Sequence, residues 1–172
     1  DFLVKKLLYM SKLEQGIIKF KPEKFILKTT IDKIINNLQL IAQNKNLKIN
    51  CFIDVHCEIN GDKELLYIAL YNIVENALKY TEKGFVNITA TNGENKIIIS
   101  IEDTGRGIPQ EDIDKIFDKF YRTDKSRKEN EGYGMGLTIS KRIIEIHNGK
   151  ISVESRENSG TLFTVEIKKI QY

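Results

Sequence analysis

The sequence predicts an α+β fold, with helices on one face of a mixed or antiparallel sheet. Three observations carry this. Helical and strand patterns mix without a regular βαβ alternation. Asn92-Gly93 separates two β-rich runs as a hairpin signal. The C-terminal run 161–168 alternates inward Thr161, Phe163, Val165 and Ile167 with outward residues.

The elements follow in order. From residue 2 to about 17, Leu3, Leu7, Met10 and Ile17 form a four-three seam, interrupted by Glu14 and widened by Val4, Leu8 and Leu13, which predicts a helix. Gly16 and Pro22 mark its exit into a linker. A second helix is expected from Thr30, whose hydroxyl can cap free N–H groups, with Ile31, Ile34, Ile35, Leu38, Ile41 and Ala42 on one face. A strand over 47–55 follows. Gly61-Asp62 opens a central helix that runs to about Tyr80, with Asp62 as its cap. Strands at 85–91 and 96–103 flank the hairpin, and 109–131 reads as a charged loop around one short helical patch. A last helix over 135–147 stops at Asn148-Gly149 in a left-handed turn, before strands at 150–155 and 161–168. The expected division is an N-terminal helical piece at 1–18, a linker at 19–29 and a domain at 30–172.

At 172 residues the chain suits one domain with an appendage. The net charge of +3, with Lys and Arg interspersed among acids, does not argue for a nucleic-acid partner. Cys51 and Cys57 are too few for a disulfide scaffold and show no metal-ligand spacing with His56, so a reduced, cytoplasmic compartment is expected. No apolar run approaches the roughly 18 residues of a membrane helix, and no stretch reads as a signal peptide. The chain begins at Asp1 in what reads as mid-helix, so a fragment of a longer protein, itself free to be membrane-anchored, is expected.

Three motifs carry chemistry. On a helix advancing ~100° per residue, Asn72, Asn76, Lys79 and Tyr80 share an arc apart from Leu66, Leu70, Ile73 and Ala77, so one face packs and the other is free for ligand. An amide oxygen such as that of Asn76 suits Mg²⁺ carried on phosphate oxygens; Lys79 offers a point charge and Tyr80 an aromatic wall. After the strand ending at Glu102, Asp103 is followed by Gly105 and Gly107, which let backbone approach a ligand; an ordinary Asp-Gly turn is the alternative. Gly132, Gly134 and Gly136 precede a helix, whose bare N–H groups suit phosphates, unless the stretch is a mobile loop. It is neither a Rossmann nor a Walker A loop.

Taken together, NIVENALKY from Asn72, DTGRGIP from Asp103, IFDKFYR from Ile116 and GYGMGL from Gly132 resemble the N, G1, F and G2 boxes of the catalytic ATP-binding domain of sensor histidine kinases. The resemblance implies the Bergerat fold, a two-layer α/β sandwich whose mixed sheet is covered on one face by about three helices. It implies ATP and Mg²⁺ as ligands, with Asn76 on the metal, Asp103 accepting from the adenine amine, and Ile108, Met135 and Leu137 in the nucleotide pocket. An ATP lid at about 109–131 would carry Lys119, Arg122, Lys125, Arg127 and Lys128, with Phe117 and Phe120 as anchors. Arg122 and Lys79 would stabilise phosphate, and Thr161 would touch adenine through water. The N-terminal helix is similar to the end of a dimerisation helix; an ordinary amphipathic helix folded onto its own domain is the alternative, since little more than two heptads do not establish a coiled coil. The implied partners are ATP, the histidine-containing dimerisation domain of the same protein, which is a homodimer in the parent, and a downstream response regulator, with no nucleic acid. His56 and His147 lie outside any phosphoacceptor motif and read as structural, His147 closing a helix where a cation is mildly favoured. The substrate histidine is thus expected to lie elsewhere, and the fragment alone is not expected to label itself.

Two other functions are compatible with parts of the sequence. ATPases and serine kinases of this superfamily place a general-base Glu four residues before the metal-binding Asn, where this chain has Asn72, an amide that takes no proton at neutral pH. Glu75 is expected to point about 100° away from Asn76. The other is a non-catalytic module that senses nucleotide and passes lid order to a partner, against which Asn76, Asp103 and the glycines argue.

Overall fold

The computed structural model describes residues 2–122 and 133–169. Helix α1 (Phe2–Glu14) leads into β1 (Glu23–Ile26), α2 (Leu27–Asn44), β2 (Lys48–Phe52), β3 (Glu58–Gly61) and α3 (Lys63–Tyr80). Then come β4 (Phe85–Asn92), β5 (Lys96–Asp103), a 3₁₀ turn at Gln110–Asp112, α4 (Gly136–Ile146), β6 (Lys150–Ser155) and β7 (Thr161–Lys168).

The main sheet has the order β2-β4-β5-β7-β6. Only β2 pairs parallel, with β4, and the other pairings are antiparallel, so the sheet is mixed as expected. Alternation puts Val86 and Ile88, Ile97, Ile99 and Ile101, and Phe163, Val165 and Ile167 on one buried face. Helices α2, α3 and α4 cover that face with Ile31, Ile34 and Leu38, Leu66, Leu70 and Ile73, and Ile139, Ile143 and Ile144. Fully burying each such side chain is worth about 1.5–3 kcal/mol, which is what holds the two layers together. Helix α1 packs on α4 through Met10 and Leu13 and leaves Val4, Leu7 and Leu8 exposed.

Four details depart from the sequence reading. The segment expected to be linker carries β1, which pairs antiparallel with β3 in a separate two-stranded sheet, Phe25 opposite Ile59. The strand expected over 47–55 ends at Phe52, and β3 was not foreseen. Thr30 is not the cap of α2: the helix begins at Leu27, Ile26 caps it in extended geometry without a side-chain bond, and Thr30 Oγ1 is buried without a partner. The physical reason is non-local, since the Leu27 N–H is satisfied by the Cys57 carbonyl at 2.8 Å. His147 is not a helix-end cation. It is buried, its Nδ1 bonding the Ile143 carbonyl at 2.8 Å while its Nε2 accepts the Asp62 N–H at 2.9 Å, and burial lowers its pKa.

Asp62 caps α3 as expected, accepting the Leu65 N–H at 3.0 Å. Asn148 closes α4 at φ 53°, the predicted left-handed stop.

Candidate functional site

Three segments meet at one end of the sheet. Helix α3 presents Asn72, Asn76, Lys79 and Tyr80 from one face. Strand β5 delivers Asp103 at its last residue, in register with Thr161 on β7. The loop before α4 brings Gly134, Met135 and Gly136. These residues, with Gly107, Ile108, Arg122 and Leu137, line one cavity of about 170 Å³. The positions drawn from distant parts of the sequence therefore converge. Gly105 does not line the cavity but stands behind it, its N–H donating to Asp103 Oδ1 at 2.8 Å. Gly132, Lys125, Arg127 and Lys128 lie outside the described residues.

Asp103 is 6% exposed. Burial pushes its carboxyl up to about 6, opposed by the N–H groups of Gly105 and Thr161 and by the Thr81 hydroxyl, while Glu102 raises it further. The Thr81 hydroxyl has one proton for two acceptors, the Ala77 carbonyl at 2.7 Å and the Asp103 carboxylate. At neutral pH the group is a held, desolvated acceptor. Tyr80 lies under the Arg106 guanidinium, 4.7 Å from the ring centroid, and Lys79 at 5.0 Å, so its face is electrostatically committed beside the cavity.

Asn72 Nδ2 donates to the Gly136 carbonyl at 3.3 Å, tying α3 to the start of α4. Gly134 has φ +68°, and a Cβ there would meet the Tyr121 carbonyl oxygen at 2.5 Å. Its own carbonyl accepts the Phe120 N–H at 3.0 Å. Phe117, expected as a lid anchor, packs on Phe163, edge to face at 6.5 Å. Phe120 does not serve as one: its backbone is left-handed at φ 63° and the ring is 51% exposed, because the bond to Gly134 fixes the main chain and turns the side chain out. Glu75 also lines the cavity, with its carboxylate engaged by the Tyr71 hydroxyl.

Thr81, Arg106, Tyr121 and Tyr133 also belong to the site and were missed. Thr81 directly follows the Asn-bearing helix, Arg106 and Tyr133 each lie between two singled-out glycines, and Tyr121 directly precedes Arg122, so adjacency could have found all four.

Residues 61–171 match the family described as histidine kinase-, DNA gyrase B-, and HSP90-like ATPase. The chain belongs to this family. It is 36% identical over 169 residues to the heme sensor protein HssS of Staphylococcus saprophyticus, covering 98% of this chain and 36% of that protein. It is 35% identical over 133 residues to the sensor histidine kinase YclK of Bacillus subtilis, covering 76% of this chain and 28% of that one. Among solved structures, the catalytic domain of histidine kinase ThkA matches with a TM-score of 0.75 and 32% identity, over 88% of this chain and 97% of that one. The family, the relatives and the fold agree on the ATP-binding catalytic domain of sensor histidine kinases. The chain spans about a third of the length of these curated relatives. No described helix of this ATP-binding domain is long and apolar enough to cross a membrane.

Proposed function

We propose that the chain binds Mg·ATP in the cavity between α3, the end of β5 and the start of α4, and delivers the γ-phosphate to a phosphoacceptor histidine on a dimerisation domain outside it. The observation that carries this is the convergence of Asn76, Asp103 and Gly134 on one cavity. Asp103 accepts the adenine amine. Main-chain N–H groups at Gly134 and Gly136 and the positive end of α4 face the phosphates. Lys79 and Arg122 neutralise charge on the transferring group.

Among the described residues no three His, Cys, Asp or Glu side chains cluster as metal ligands. The Asn76 amide, which lines the cavity, offers one hard oxygen and fits a cation carried on the nucleotide, held with phosphate oxygens and waters. When bound, the cation supplies charge neutralisation at the phosphates. The chain itself contributes position and electrostatics, with no covalent step on the protein. Asn72, committed to Gly136, supplies no base, which favours transfer to a nucleophilic histidine over activation of water.

Helix α1 is read as the end of the dimerisation helix of a homodimeric parent in a two-component phosphorelay, in the cytoplasm, with a response regulator taking the phosphoryl group next. The test is phosphotransfer in trans: the chain, labelled ATP with Mg²⁺, and a separate histidine-containing dimerisation domain. Label on that histidine is expected. Tight binding with no transfer would favour a nucleotide-sensing module instead.

A further inference from the structure

Ser155, the last residue of β6, was not singled out by any motif, yet it lies at a junction of the base end of the cavity. Its Oγ is 2.9 Å from the Ile108 nitrogen, 2.8 Å from the Gly160 carbonyl oxygen and 3.0 Å from Thr161 Oγ1. The first of these atoms can only donate and the second can only accept. The single Ser155 proton therefore goes to Gly160, and the Thr161 proton must go to Ser155. With two bonds accepted and one donated, the Ser155 hydroxyl is saturated. The Thr161 oxygen is then left with lone pairs alone, and Thr161 lines the cavity.

Thr161 is also the cross-strand partner of Asp103, and its N–H supports the Asp103 carboxylate. The same Ser155 hydroxyl anchors the Ile108 N–H, and Ile108 also lines the cavity. The turn it grips is tight, since Gly160 has φ +86° and a Cβ there would strike the Asp103 carbonyl.

We infer that Ser155 is a positioning residue for base recognition: it fixes the Thr161 hydroxyl as an acceptor beside the Asp103 carboxylate, so the pocket meets a purine edge with two acceptors. This rests on the nucleotide reading given above. Two adjacent acceptors suit an exocyclic amine, as on adenine. They leave a carbonyl at the same ring position, as on guanine, facing lone pairs without a partner. Without Ser155 the Thr161 hydroxyl is free to rotate and donate to a carbonyl.

The experiment is calorimetric titration of the full chain with Mg·ATP and Mg·GTP at pH 7.5, for the wild type, Ser155→Ala and Ser155→Thr. The Ser155→Ala variant is expected to lose about tenfold in its preference for ATP over GTP, on the scale of one well-placed hydrogen bond. Ser155→Thr, which keeps the hydroxyl, is expected to retain the wild-type preference. A merely structural role would weaken both nucleotides together, and an unchanged ATP-to-GTP ratio in Ser155→Ala overturns the inference. Should that variant not fold, Thr161→Val removes the oriented hydroxyl directly and carries the same expectation, with an unchanged ratio again overturning it. Failure of the wild type to bind ATP overturns the nucleotide reading and this one with it, whereas wild-type binding with an unaltered ratio in the variants overturns this one alone.

Discussion

Asn72 on α3 donates its side-chain N–H to the Gly136 carbonyl across 3.3 Å, so the helix that would hold the metal and the loop that would hold the phosphates are fastened to each other. Asn72 is 9% exposed, and Ser140 reaches the same carbonyl at 3.0 Å and the Ala69 carbonyl at 2.9 Å, which extends the fastening one turn along α4. Asn72→Asp removes the donor and sets a carboxylate against the Gly136 carbonyl. A cost of about 1–3 kcal/mol follows from the broken buried bond. The expected outcome is a lower melting temperature and weaker Mg·ATP binding together; unchanged affinity in a titration would show that the two elements are not coupled.

The glycines of the loop before α4 are not equivalent. Gly134 is left-handed, and a Cβ would crowd the Tyr121 carbonyl oxygen at 2.5 Å and the Phe120 carbonyl carbon at 2.8 Å. Gly136 has no positive φ, and its added Cβ would meet only the Asn72 side chain at an ordinary 3.6 Å. Gly134→Ala is therefore expected to shift the loop and lose the thermal stabilisation that Mg·ATP gives, at a backbone cost of about 1–2 kcal/mol before the clash is counted. Gly136→Ala, at the start of a helix where Ala is the better former, is expected to fold with a melting temperature at or above the wild type. Paired thermal melts with and without nucleotide separate the two.

Much of this site was legible because its parts have local signatures: a helical arc for Asn72, Asn76 and Tyr80, glycines where backbone must bend, and Asp62 at a cap. What was not legible depends on pairing between distant segments. Strands β1 and β3 are four residues each and exist through their mutual register, Phe25 opposite Ile59. The start of α2 is set by the Cys57 carbonyl thirty residues further on. Ser155 is a single hydroxyl whose role comes only from what the sheet lays beside it, and nothing in its neighbours' sequence marks it out.

As the proposed acceptor for the adenine amine, Asp103 would make nucleotide binding depend on pH. Its carboxyl titrates at about 6 in the folded chain against an ordinary 3.8, so between those values the folded state holds more proton than the unfolded one. Its contribution to stability is fully present below the lower value and is lost as pH rises through the upper. Above that, the ionised group costs the fold stability. Asp103→Asn is expected to raise the melting temperature at pH 7.5 while abolishing selective ATP binding. In the wild type, affinity for ATP is expected to fall as pH drops through 6, with about half a proton released per Asp103 on binding at that pH. Calorimetry in buffers of differing ionisation enthalpy measures that release, and none at pH 6 would contradict the assigned acceptor.

His147 acts in the opposite sense. Burial lowers its pKa against the favourable Ile143 carbonyl and the Asp62 carboxylate, and its Nε2 must stay unprotonated to accept the Asp62 N–H. Phe20 closes on the ring edge to face at 5.0 Å, and Gly61 leaves no room, since a Cβ there would lie 2.8 Å from Cδ2 of His147. The unfolded chain takes up this proton below the ordinary 6.5 while the folded chain resists, so stability falls as pH drops below that value. Over the interval just below 6, Asp103 adds stability on acidification and His147 removes it, which flattens the wild-type profile. Single variants should therefore tilt it in opposite directions. With Asp103→Asn, melting temperature is expected to fall more steeply with acidification than in the wild type, because only the histidine remains. With His147→Gln, the chain is expected to be less stable at pH 7.5 by about 1–3 kcal/mol from the disturbed Asp62 N–H, yet to gain stability relative to the wild type as pH falls from 6.5 to 5. Parallel profiles for the two variants would show that neither group titrates as its surroundings dictate.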